Sequence, residues 1–125
     1  KLGSSPKDIS SHGTGSTEIL VFEGFMDFLT FRTLHPEIDE SRVDFMVLNS
    51  VSFFERAREK METHQQISLY LDRDRAGSEL TMYALSLDDR YRDQSILYKN
   101  HKDLNDWAMN PGRLAAPAQA RRISR

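Results

Sequence analysis

Apolar runs of strand length recur along this chain, and segments with helical spacing separate them. Glu18–Phe22, Val43–Leu48 and Ile67–Leu71 read as three buried strands. Between the first two, Phe25, Phe28, Leu29 and Phe31 predict a helix over Phe25–Leu34. It ends before Pro36, because proline disfavours helical geometry in the residue before it. Asn49-Ser50 reads as a turn, with Ser50 or Ser52 capping a charged helix over Val51–Met61. Leu80, Ala84 and Leu87 place a third helix over Ala76–Leu87, Gln94–Tyr98 reads as a short fourth strand, and Lys102–Met109 as a final short helix. Strands alternating with helices in this way imply an α/β fold with an open, mainly parallel four-stranded sheet and right-handed crossovers. Every strand-to-helix turn then falls on one edge of the sheet.

What ends those strands is acidic. Glu23-Gly24-Phe25-Met26-Asp27 follows the first, and Asp72-Arg73-Asp74-Arg75-Ala76-Gly77 follows the third. In an open parallel sheet, ligands bind beyond the carboxyl ends of the strands. Glu23, Asn49 and Asp72 are therefore expected to be neighbours. Residues two apart in extended chain point the same way, so Asp72 and Asp74 can grip one ion. Carboxylates gathered there repel one another unless a cation joins them, and an all-oxygen donor set suits Mg²⁺. Taken one at a time, each motif also has a plain reading: Asp27 as an acid favoured by the helix dipole, Asp74 and Asp103 as helix N-caps, and Asp106 at the third position of the last helix. His101-Lys102-Asp103-Leu104-Asn105-Asp106 adds acids at the same edge, and Lys102 offers a charge for phosphate.

The 125 residues suffice for one core. The absence of cysteine excludes disulfides and thiolate metal sites and is compatible with a cytoplasmic location. No apolar run approaches a membrane span. Residues 113–125 contain four arginines and no acid, which leaves 13 basic against 19 acidic groups in the rest, a net of −6. An acidic body is a poor footprint for nucleic acid unless bound Mg²⁺ or a basic partner domain offsets it. Residues 1–16 read as a linker or extended lead-in, 17–110 as the folded domain and 111–125 as a flexible basic tail. The histidines His12, His35, His64 and His101 share no ligand spacing and read as surface residues. Phe25, Phe28, Phe31, Phe53 and Phe54 read as core, and Trp107 as packing the last helix onto the sheet.

Together the three acidic clusters resemble the Toprim domain, the metal-binding module of bacterial replicative primases, topoisomerases, OLD-type nucleases and recombination-repair proteins. The primase branch is most similar. Its V-E-G-Y-M-D motif is matched by Phe22-Glu23-Gly24-Phe25-Met26-Asp27, its D-G-D-x-A-G by Asp72-Arg73-Asp74-Arg75-Ala76-Gly77, and its K-D-P-D loosely by Lys102-Asp103-Leu104-Asn105. The resemblance spans about residues 17–109. Asn105 stands where a second acid is usual, and Leu48-Asn49-Ser50 replaces a glycine-containing turn.

The resemblance implies a Toprim-like (Rossmann-like) fold and Mg²⁺-dependent nucleotidyl transfer, with Mn²⁺ as a substitute ion. It gives Glu23 the acid–base role or a place on the metal. Asp72 and Asp74 become ligands, and Asp27 and Asp103 secondary or water-mediated ones. Gly24, Asn49, Arg73, Arg75, Gly77 and Lys102 become phosphate or nucleotide contacts, though at least one of the two arginines should point away or pair with an acid. The implied partners are nucleoside triphosphates and DNA or RNA, reached through further domains, in replication or in the transfer of mobile elements. Three other readings stand beside it: a Toprim nuclease, a nonenzymatic Toprim interaction module, and a receiver-like domain, which lacks its early acidic pair here.

Overall fold

The structure is a computed structural model that describes residues 10–12, 17–39 and 42–110. Its strands are β1 (Ser10–His12), β2 (Glu18–Phe22), β3 (Val43–Val47), β4 (Gln66–Tyr70) and β5 (Tyr91–Asp93). Its α-helices are α1 (Phe25–Leu34), α2 (Phe54–Met61), α3 (Arg75–Leu87) and α4 (Leu104–Ala108), with 3₁₀ turns at Val51–Phe53 and Ser95–Tyr98. The sheet order is β1-β3-β2-β4-β5. β2 runs parallel to β3 and β4, β4 runs parallel to β5, and β1 joins the outer edge of β3 antiparallel. The expected four parallel strands are therefore present, with one antiparallel edge strand added.

The central strands are buried from their second residue onward because both faces are covered, and even Asp44 and Ser68 lie inside. Their two-residue period divides them between two cores. Ile19, Val21, Met46, Ile67 and Leu69 pack with Phe54, Ala57 and Met61 of α2 and Ala84 of α3. Leu20, Phe22, Phe45, Val47 and Tyr70 pack on the opposite side with Phe31 of α1, Tyr98 of the second 3₁₀ turn and Leu104 of α4, and Phe28 and Trp107 lie against them. The chain leaves β2 through α1 on this second face and turns toward β3. It leaves β4 through α3 on the first face and turns toward β5. Neighbouring strands thus send their chains in opposite directions, which makes the crevice beyond β2 and β4 a topological switch point.

Several expectations are corrected. The fourth strand is Tyr91–Asp93, not Gln94–Tyr98. Asp93 Oδ1 accepts from Ser95 N–H and Oγ–H at 2.8 and 2.6 Å, which curls the chain into the 3₁₀ turn and leaves Ile96 exposed. Two histidines are buried rather than superficial. His64 is 2% exposed with Nε2 2.7 Å from Asp44 Oδ2, and His35 stacks near Phe31. His101 is half-buried beside Asp106, while the expectation for the His12 side chain lies outside the described residues. Phe25, expected in the core, is 52% exposed. The expected tail at 111–125 and most of the lead-in also lie outside the described residues. Among the described residues no helix is long and apolar enough to cross a membrane.

Candidate functional site

Glu23 is the first residue beyond β2, and Asp72 lies just beyond β4. Because Phe22 and Tyr70 are register partners, the two acids meet across adjacent strand ends. Glu23 Oε1 accepts the Asp72 backbone N–H at 3.0 Å, which turns the carboxylate inward. The neighbouring turn after β3 closes on the same place: Asn49 N–H donates to the Glu23 carbonyl at 2.9 Å. Asn49 sits at φ 68°, the left-handed conformation that asparagine tolerates better than most residues. It therefore does the conformational work of a glycine. Gly24, by contrast, is in ordinary extended geometry.

Helix starts supply the other carboxylates. Asp27 is in the first turn of α1, nearly fully buried, and its Oδ1 accepts the Asn105 backbone N–H at 3.0 Å. Asp74 caps α3 by accepting Gly77 N–H at 2.9 Å, and Asp103 caps α4 by accepting Asp106 N–H at 2.8 Å. The plain capping roles and the convergence therefore coexist. Carboxylate oxygens of Glu23, Asp72 and Asp74 lie within 4.8 Å of one another, and so do those of Asp27, Asp72 and Asp103. Asp72 belongs to both groups.

Gly77 makes this proximity feasible. A Cβ there would collide with the Asp72 carbonyl and come within 3.0 Å of Glu23 Oε1. Only a residue without a side chain lets the first turn of α3 lie so close to the strand end.

The electrostatics are unrelieved. Burial pushes the Asp72 carboxyl up to about 7, helped by Glu23, Asp27, Asp103 and Asp74. Burial likewise lifts Asp27 to about 6, opposed by the Asn105 N–H and reinforced by Asp103 and Glu23. Glu23 is also raised, chiefly by burial, against the lowering effect of the Asp72 N–H. Among the described residues no lysine or arginine pairs with any of the five. Asp72 Oδ1 is buried with nothing donating to it. A hard divalent cation fits both facts, because it satisfies an orphaned oxygen and cancels converging negative charge.

The remaining candidates go elsewhere. The Arg73 guanidinium turns to Ser95, and Arg75 pairs with Glu79 at 2.9 Å on the exposed side of α3. Lys102 is exposed next to Asp103. Asp106 faces His101 and lies outside both carboxylate groups. Asn105 joins no group either; its side-chain oxygen accepts the Thr30 hydroxyl at 2.6 Å. This Thr30–Asn105 contact, one helical turn after Asp27, holds α4 to α1. Only the spacing of Thr30 from Asp27 hinted at it in the sequence.

A family profile described as Toprim-like matches residues 20–108. No curated protein matches the chain in sequence. Solved structures that share its fold include two from bacteriophage T7. The primase fragment of the bacteriophage T7 primase-helicase protein aligns with a TM-score of 0.62 and 23% identity, over 85% of this chain and 44% of that one. A structure of the bacteriophage T7 lagging-strand DNA polymerase interacting with primase domains bound to an RNA/DNA hybrid and dTTP aligns with a TM-score of 0.61 and 23% identity, over 85% and 54%. This chain thus spans about half the length of the structures it matches.

Proposed function

The chain belongs to the Toprim-like family, and on that footing we propose that it is the Mg²⁺-dependent nucleotidyl-transfer module of a primase-like protein. The process it serves is primer synthesis, in DNA replication or in the transfer of a mobile element. One observation carries the reading: Asp72 Oδ1, buried without a donor, stands among four other carboxylates at the switch point.

Asp72 and Asp74 would hold Mg²⁺, or Mn²⁺ in its place, with Asp27 and Asp103 as further ligands or contacts through water, and Glu23 would be the acid–base residue or a further ligand. The bound ion would offset charge developing on phosphate oxygens. Glu23 engages the Asp72 N–H through Oε1, which leaves Oε2 to take a proton from an attacking hydroxyl. Burial raises its pKa above the ordinary carboxylate value, which makes it the stronger base. Lys102, with the backbone around Gly24, Asn49 and Gly77, would meet phosphate oxygens of a nucleoside triphosphate. For Arg73 or Arg75 to do so, each must first release Ser95 or Glu79. The nucleic-acid strand would be held by further domains.

Calorimetric titration of the chain with Mn²⁺, beside an Asp72→Ala/Asp74→Ala variant, tests the reading. Binding by the wild type and its loss in the variant are expected. A folded wild type that takes up no Mn²⁺ would overturn the catalytic reading in favour of an interaction module. Cleavage of phosphodiester bonds without nucleotide incorporation by the longer protein would favour a nuclease.

A further inference from the structure

Between the two aspartates beyond β4 stands a residue whose side chain leaves the site. The chain bends at Arg73 and Asp74, and across that bend the Asp72 and Asp74 carboxylates converge with Glu23 while the Arg73 guanidinium reaches Ser95. Arg73 is fixed at both ends. Its backbone N–H donates to the Lys102 carbonyl at 2.6 Å, which ties the Asp72–Asp74 loop to the segment carrying Asp103. Its Nη1 donates to the Ser95 carbonyl at 3.1 Å and to Ser95 Oγ at 2.9 Å. Ser95 is itself buried, and both its N–H and its hydroxyl donate to Asp93 Oδ1. The guanidinium thus reaches its counter-charge through a shared hydroxyl, in a chain of charge-assisted hydrogen bonds that polarise one another.

We propose that Arg73 is a positioning residue, one that holds Asp72 and Asp74 on the cation side of their loop by anchoring that loop to the turn after β5. The inference rests on the metal reading above and deepens it. The repulsion between the two aspartates tends to splay them apart, and the arginine latch opposes that motion from behind. It also explains why a cation next to two carboxylates pairs with neither: its work is done across the loop.

The test uses the whole chain and four variants: Arg73→Ala, Ser95→Ala, the double variant, and Arg73→Lys, which keeps one donor for the Ser95 carbonyl. Mn²⁺ affinity is read by calorimetry, the Mn²⁺ environment by its paramagnetic resonance line shape, and amide exchange over 72–77 without metal. Arg73→Ala and Ser95→Ala should each weaken Mn²⁺ binding about tenfold, with no further loss in the double variant and partial recovery in Arg73→Lys. Exchange over 72–77 should quicken while β4 stays protected. Ser95→Ala removes a single hydroxyl, so it carries the test if Arg73→Ala unfolds. Unchanged Mn²⁺ affinity and line shape in both single variants, beside a wild type that binds, would overturn the inference alone. Absence of binding by the wild type would overturn the metal reading, and unchanged amide exchange in that case would overturn this one too.

Discussion

Asp72 is where folding and function pull against each other. Its carboxyl sits at about 7 and that of Asp27 at about 6, both above the ordinary 3.8. Well below the ordinary 3.8 both are neutral, folded and unfolded. As pH rises, the unfolded chain releases these protons first, so the metal-free fold loses stability between about pH 4 and 7 and does not regain it above. Asp72→Asn should therefore raise the metal-free Tm at pH 8 by a few degrees, about 1–2 kcal/mol once partial exposure is allowed for. The same variant should lose the stabilisation that Mn²⁺ gives the wild type. Thermal scans with and without Mn²⁺ check both, and a lower Tm in the variant would contradict the charge argument. Glu23, Asp72 and Asp74 were legible because strand ends can be read from local apolar runs. That at least one of Arg73 and Arg75 turns away was legible too, but the partner of Arg73 was not, since it depends on Ser95, far along the chain. Nor was the burial of His64, which is decided by Asp44 from another strand.

At the scale of elements, β2, β3, β4 and the first three helices follow from hydrophobic spacing and breakers. β5 escaped because only Tyr91 of its three residues is buried, while the more apolar Ser95–Tyr98 is held in a 3₁₀ turn by Asp93. β1 escaped because a short edge strand in a Ser- and Gly-rich segment has no amphipathic pattern to show. The join of β4 to α3 depends on close approach rather than on pattern. Gly77→Ala should force the first turn of α3 off the Asp72 carbonyl. The expected cost is about 1–3 kcal/mol, together with weaker Mn²⁺ binding than in a control such as Ser78→Ala on the exposed side of that helix. Chemical denaturation and calorimetry would measure the two effects. A Gly77→Ala protein as stable as the wild type would show that the helix start can shift freely.

For the whole molecule, strand order decides the site. Glu23 and Asp72 are far apart in sequence and meet only because β2 and β4 are adjacent, as the alternation of strands and helices implied. The acidic balance of residues 1–112 implies that the module alone holds nucleic acid poorly. Primer synthesis by this chain by itself should be negligible and should appear when a longer protein supplies a basic template-holding domain; primer-extension assays on both would check this, and equal activity in the two would refute it. The place of β1 has a consequence of another kind. β3 is buried along most of its length and would otherwise offer a row of unpaired N–H and C=O groups to any passing chain. With Ser10–His12 laid along it, and with only three-residue β5 at the far side, the described residues present no long open border on which a second copy could extend the sheet. Three residues of backbone pairing thereby guard the molecule against strand-by-strand self-association.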